Sequence, residues 1–363
     1  MSRRRRGVLV VLSVALLAVT VAAACGPPKS TIKPVDTTPP TLDIQKDFVT
    51  GLNNPWDMAF LPDGTMFFTQ RPGPVSVRLP NGAITNLGNP PGSAPSGEGG
   101  VMGIAVDPNF AANRYLYVCY THTSDNRVTR FTLNPDLSPG LESPFDVVTG
   151  MPKNNNHNGC RIRFGFDAML WITMGDAQNA GNARNLGSLS GKILRVNPGG
   201  TNVPAPGNPF GTLVITYGHR NPQGIAFRAN FEVYSVEHGP GQDDEVNLLI
   251  AGGDYGWNGS DMTCCGGIEA VWSSGDPTIA PSGATFVYGT QWKGWNGALI
   301  LAVLKDMRFQ VFVERNGALQ FGAPVIIPTG VRMRSVVQGP DGNLYAATDV
   351  GGGNGAIWRI TPS

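Results

Sequence analysis

Charge is scarce in this chain. Its 363 residues include 27 Lys plus Arg and 26 Asp plus Glu, a formal net charge of +1. Four of the cations, Arg3 to Arg6, lie in a leader expected to be removed, which leaves 23 positive against 26 negative side chains, a net of −3. No basic field remains to attract nucleic acid. There are four histidines, and the five cysteines show no zinc-type spacing. The apolar run Gly7 to Val21 is too short for a comfortable membrane span. What abounds is glycine, 48 residues, and proline, 30 residues. That profile suits many short strands joined by tight turns and argues against long helices.

The N-terminus has the order of an export signal: Arg3 to Arg6, the apolar run, then Ala22, Ala23 and Ala24 before Cys25. We expect a signal peptide over 1–24 and a lipid on Cys25, although Ala22 stands where a bacterial lipobox usually has Leu. An ordinary cleaved signal or a retained anchor are the alternatives. Residues 25–41, rich in Pro, Thr and Lys, read as a flexible tether, and 42–363 as the folded domain. An exported chain can oxidise Cys119, Cys160, Cys264 and Cys265. Cys119 and Cys160 suit buried thiols as well as a disulfide. The adjacent Cys264 and Cys265 could close a vicinal ring or bridge elsewhere.

One unit repeats along the domain. An apolar strand meets a turn, and a second strand ends in polar residues. Copies begin at Met58, Gly103, Arg161, Gly224 and Ser335, with a degenerate one around Ala298 to Lys305. Spacings of about 45 to 65 residues fit blades of a propeller. The expected fold is all-β, a six-bladed β-propeller of four-stranded antiparallel blades. The early strand from Leu42 to Val49 has no blade of its own and is placed to close the ring.

In such a ring, the start of each first strand and the end of each second strand share one mouth. That rule gathers Glu98, Asn156, His157, Arg220, Asn221, Arg332 and Arg334 with Gln70, Asp176, His238 and Lys305. Crowded charges of this kind need a ligand or partner to compensate them. A ladder about a turn centred between Phe166 and Asp167 pairs His157 with Asp176, the arrangement of a positioned general base, or of a structural hairpin closure. Arg332 and Arg334 are two apart and share a strand face, which suits a multi-carboxylate ligand or an ion-paired rim. The turn Gly239 to Glu245 is rich in oxygen donors and could serve calcium, without EF-hand spacing.

These residues resemble the soluble pyrroloquinoline-quinone (PQQ)-dependent glucose dehydrogenases and the wider glucose/sorbosone dehydrogenase family. The motifs are Gly51-Leu-Asn-Asn-Pro-Trp56, Gly218-His-Arg-Asn-Pro-Gln-Gly224, Glu237-His-Gly-Pro240, Asp243-Asp-Glu-Val-Asn247 and Gly253-Asp-Tyr-Gly-Trp257, with Lys305 and Arg332-Met-Arg334. The resemblance implies an enzyme that oxidises an aldose at its anomeric carbon and passes electrons from PQQ to an external acceptor. It implies His157 as base, Asp176 as its orienting partner and Arg220 as stabiliser of negative charge. It assigns Asn221, Lys305, Arg332 and Arg334 to PQQ, and carbonyls of Gly239 and Pro240, with Glu245, to calcium. Glu98, Asn156 and Gln178 fall on the sugar side. Family members acting on glucose carry Gln at the place of Glu98 and Asp at that of Asn156, so glucose itself is in doubt. The competing classes are a non-catalytic propeller that binds a carbohydrate or protein, which should have lost the His–Asp pair or the cations, and a calcium-dependent hydrolase, which needs acidic and Asn ligands converging on an axial metal.

Overall fold

The computed structural model describes residues 37–363. The expected signal peptide, Cys25 and most of the expected tether lie outside the described residues. Thr38 and Thr41 already touch the domain: Gly294 N–H donates to the Thr38 carbonyl, and Thr41 exchanges two bonds with Ser363.

Six antiparallel sheets of four strands form the propeller. The inner strands are Pro55–Phe60, Val101–Val106, Ile162–Phe164, Pro222–Phe227, Pro281–Phe286 and Met333–Gln338, heading blades 1 to 6. Blade 6 takes its outermost strand, Leu42–Leu52, from the start of the domain, paired with Gly355–Pro362. This joint closes the ring. Many strands are buried on both faces, because each blade is covered by two neighbours. Met66–Gln70 in blade 1 and Leu299–Val303 in blade 5 are buried throughout, which is why Leu299–Val303 reads as a continuous apolar run.

Blade 3 departs from the expected register. Ile162 pairs with Ile172 and Phe164 with Leu170, so the turn centres on Asp167 itself. The ladder is one residue out of the anticipated pairing and ends before His157, whose carbonyl accepts from Ala177 N–H beyond it. Blade 5 was hard to see because residues 287–298, with a 3-10 segment Thr290–Trp295, separate its first two strands. Cys119 and Cys160 form a disulfide between blades 2 and 3, and Cys264 and Cys265 form a vicinal one.

The axis is plugged by a buried cluster of paired charges. Asp57, fully buried, accepts from Arg161, from both terminal nitrogens of Arg163 at 2.7 and 2.8 Å, and from Ser335 Oγ. Arg161 also reaches the Gln223 carbonyl at 2.9 Å and lies 4.0 Å from the Trp56 ring centroid. Four blades thus meet on one guanidinium. Gly224 lets blade 4 approach blade 5: a Cβ there would stand 2.2 Å from the Ser282 carbonyl oxygen.

Candidate active site

Above the plug the axis opens into a cavity of about 260 Å³, lined by Glu98, Asn156, His157, Arg220, Asn221, His238, Gly239, Asp244, Thr278 and Ala280. These residues come from loops before the inner strands of blades 2 to 5 and after the second strand of blade 4. The segment before the short inner strand of blade 3 is irregular, with His157 at φ +60° and Cys160 at +72°. Left-handed backbone at non-glycine residues is held only where the surroundings impose it. Here Glu98 Oε2 accepts the His157 N–H at 3.0 Å, and the His157 carbonyl accepts from Ala177 N–H at 3.2 Å. That carbonyl also lies against Gly175, where a Cβ would come within 2.1 Å of it and 2.8 Å of Asn221 Oδ1. Only glycine fits at 175.

The kinked backbone swings the His157 ring onto Asp176, with Nδ1 2.7 Å from Oδ1. The pair therefore forms outside the ladder, both residues standing beyond their strand ends. Asp176 is buried and anchored twice more: Oδ1 accepts from Gln178 N–H at 2.8 Å and Oδ2 from Trp257 Nε1 at 2.8 Å. A carboxylate that only accepts fixes the tautomer, with the proton on Nδ1. His157 Nε2 has no protein partner among the described residues.

Arg220 donates to the His238 carbonyl at 2.9 Å, while its own N–H is held by Glu237 Oε2 at 2.9 Å. Its guanidinium lies 5.4 Å from the Trp257 ring. Burial lowers the proton affinity of Arg220, opposed chiefly by Asp176 and Glu237. Glu237 is itself locked by buried His219 at 2.8 Å. Among the described residues, four polar atoms at this cavity are buried without partners: Arg220 Nε, Asn221 Nδ2 and Oδ1, and His238 Nε2. Burial holds His238 below its ordinary pKa. Native proteins rarely leave such groups orphaned.

Other expected residues fall around the rim. Lys305 Nζ reaches Thr278 Oγ1 at 3.1 Å. Arg332 and Arg334 converge on Asp349 Oδ2 at 3.3 and 2.9 Å, Arg334 buried and Arg332 48% exposed. Burial would raise the Asp349 carboxyl, but Arg334, Arg71 and Arg332 outweigh it and hold it well below the carboxylate range. Pro240 and Gln178 are exposed, and Gln178 contributes its backbone to Asp176. Glu245 stands apart from the cavity lining. Its oxygens meet Asn247 Nδ2 and Thr263, and burial beside Glu237 pushes its carboxyl up to about 8.

Asp349, Arg71 and Trp257 were not anticipated as site residues. Asp349 follows the second strand of blade 6, Leu344–Thr348, so the rule that selected Asp176 also points to it. Trp257 had no local signal beyond its motif, since its role depends on a contact across 81 positions. At the opposite end of blades 3 and 4, an apolar cleft of about 400 Å³ is lined by residues such as Trp171, Phe231 and Ile250. Trp171 Nε1 there is likewise buried without a partner among the described residues.

A family model, Glucose / Sorbosone dehydrogenase, matches residues 52–359. The aldose sugar dehydrogenase YliI of Escherichia coli is 30% identical over 86% of this chain and 91% of its own length. The quinoprotein glucose dehydrogenase B of Acinetobacter calcoaceticus is 25% identical over 85% and 86%. The structure of the PQQ-bound form of aldose sugar dehydrogenase from Streptomyces coelicolor superposes with a TM-score of 0.79 at 33% identity, covering 90% of this chain and 100% of that one. The chain belongs to the glucose/sorbosone dehydrogenase family and is a sugar dehydrogenase of that family.

Proposed function

We propose that the protein oxidises an aldose at its anomeric carbon to the lactone, with PQQ as electron acceptor and calcium beside it. The carrying observation is the set of orphaned atoms on Asn221, His238 and Arg220 in a mouth rimmed by cations. Each buried neutral group without a partner costs about 1 to 3 kcal/mol, which a polar ligand removes. A planar polycarboxylate with carbonyl and ring-nitrogen acceptors fits that donor set. Asn221, Lys305, Arg332 and Arg334 would hold PQQ, and the carbonyls of Gly239 and Pro240 would hold calcium. Glu245, expected with them, is bonded instead to Asn247 and Thr263 and is left out of that ligand set. Bound in the mouth, PQQ supplies a two-electron acceptor for the sugar's hydride and calcium a Lewis acid. The names of the Escherichia, Acinetobacter and Streptomyces relatives support this reading.

The protein's own part is proton and charge handling. With Nδ1–H committed to Asp176, His157 presents the Nε2 lone pair to the anomeric hydroxyl and takes its proton. Asp176, fixed by Trp257 and Gln178, keeps that tautomer and stabilises the imidazolium. Arg220, with Nε uncommitted, neutralises negative charge developing in the cavity. Glu98 spends one oxygen on the His157 backbone. The other is available to a sugar hydroxyl, with Asn156 beside it and Gln178 at the rim.

Export and lipidation at Cys25 complete the proposal, placing the enzyme in the cell envelope with an external electron acceptor. No helix among the described residues is long and apolar enough to cross a membrane. Cys25→Ala should release the domain from membranes, and unchanged membrane association would count against the lipid. For the activity, apo-protein loaded with PQQ and calcium is screened against aldoses with a dye acceptor. A spectral change of the quinone on sugar addition is expected. A loaded protein inert to every aldose would contradict the reaction.

A further inference from the structure

Arg71 directly follows the second strand of blade 1, Met66–Gln70. Its backbone is fixed on both sides, donating to the Asn54 carbonyl at 2.9 Å and accepting from Val101 N–H at 2.8 Å. Its side chain sets out across Gly100, where a Cβ would stand 2.9 Å from Arg71 Cγ. Its guanidinium comes within electrostatic reach of Asp349, Arg334, Glu98 and Arg332. By its backbone contacts it stands between Asn54, whose side chain bonds Asp349, and Gly100, two residues from Glu98.

The nearby carboxylate Asp349 is already committed. Its Oδ1 accepts from Asn54 Nδ2 at 3.3 Å, and its Oδ2 from Arg332 at 3.3 Å and Arg334 at 2.9 Å. Glu98 has given one oxygen to His157. Among the described residues the Arg71 guanidinium makes no hydrogen bond, although the residue is half-buried. Two guanidiniums thus share the Asp349 carboxylate, and a third near them is unpaired among the described residues. Guanidiniums do not shed protons to relieve such crowding, so the site favours an added anion.

We propose that Arg71 is a third guanidinium anchor for a carboxylate of the bound cofactor, beside Arg332 and Arg334. This rests on the PQQ reading above and adds a residue that the sequence motifs did not single out. Because its neighbours also include Glu98, Arg71 would tie the cofactor's carboxylate edge to the wall of the sugar pocket.

The test is a calorimetric titration of apo-protein with PQQ in the presence of calcium, on the parent, Arg71→Ala and Arg71→Lys. Loss of a charge-assisted hydrogen bond should weaken Arg71→Ala by about 10- to 100-fold. Arg71→Lys should fall between, since it keeps the charge but loses the two-pronged geometry. The apo form of Arg71→Ala should unfold close to the parent, because the guanidinium makes no hydrogen bond there and its attraction to Asp349 and Glu98 is opposed by repulsion from Arg334 and Arg332. If the parent binds PQQ and both variants bind within about twofold of it, Arg71 is not an anchor and the rest of the site stands. If the parent binds no PQQ, the cofactor reading fails and this inference with it.

Discussion

Asn221 and Gln223 lie two residues apart at the start of the blade 4 inner strand, yet their side-chain amides live in opposite circumstances. Gln223 Oε1 accepts from Arg334 at 2.6 Å and Ser282 at 3.1 Å, within the plug. Asn221, 1% exposed, has neither amide atom paired. The same contrast runs along blade 3. Arg161 is matched to Asp57, Ser335 and three backbone carbonyls, whereas four residues earlier His157 keeps Nε2 open. One end of the axis has spent its polar groups on the fold. The other end holds them in reserve, which is what a binding site requires.

The sharpest way to break this comparison is at Asp57. Asp57→Asn should destabilise the domain by about 3 to 5 kcal/mol in chemical denaturation, because it strands the buried Arg161 and weakens the hold on the partly exposed Arg163. Burial would raise the Asp57 carboxyl, but Arg161 and Arg163 together hold it below its ordinary value of 3.8. The stability it lends is complete above that unfolded value and is lost as pH falls through the lower folded one. The parent should therefore lose stability more steeply than Asp57→Asn below about pH 4. Equal acid sensitivity would show that the plug is not the acid-labile element.

Arg334 bridges both regions, and Arg332 belongs to the mouth alone. Replacing either by Ala should weaken PQQ binding by about 1.5 to 3 kcal/mol. Only Arg334→Ala should also lower the stability of the apo-protein, since Gln223 and Asp349 lose a buried donor. Arg332→Ala should stay within about 0.5 kcal/mol of the parent in unfolding. A stability loss at Arg332 matching that at Arg334 would erase the boundary drawn here.

Asn221→Leu separates stability from binding. An orphaned amide replaced by an apolar group of similar size should leave the apo domain unchanged or up to about 1 kcal/mol more stable. PQQ affinity should fall by about 1 to 3 kcal/mol in the same variant. Stability and affinity falling together would mean that Asn221 holds the fold rather than a ligand.

Much of this was legible in the chain, and unevenly. Turn chemistry and apolar runs betray the blades, and the rule that strand ends share a mouth gathers Glu98, His157, Asp176 and Arg220 without any structure. The pairing of His157 with Asp176 was reached through a register one residue out of place. Left-handed residues at 157 and 160 break the ladder, and Gly175 lets the chain close on itself. Such kinks are set by contacts between blades, which no local pattern records. The plug was opaque for the same reason: Arg161 reads as an ordinary strand residue, and only ring closure brings it to Asp57, Gln223 and Ser335. Glu245 read as one with Gly239 and Pro240 because they are close in sequence, but its strand turns the carboxylate toward Asn247 and Thr263.

The measurement that bears most directly on the account is the rate at which bound PQQ is reduced by saturating sugar in a single turnover, compared between the parent and His157→Ala. Cofactor charge is assigned to other residues, so the variant should still bind PQQ. Without a base for the anomeric proton, reduction should slow by about two to four orders of magnitude. If His157→Ala reduces bound PQQ as fast as the parent, His157 takes no proton, its pairing with Asp176 only holds the loop, and the mechanism proposed for this mouth is wrong.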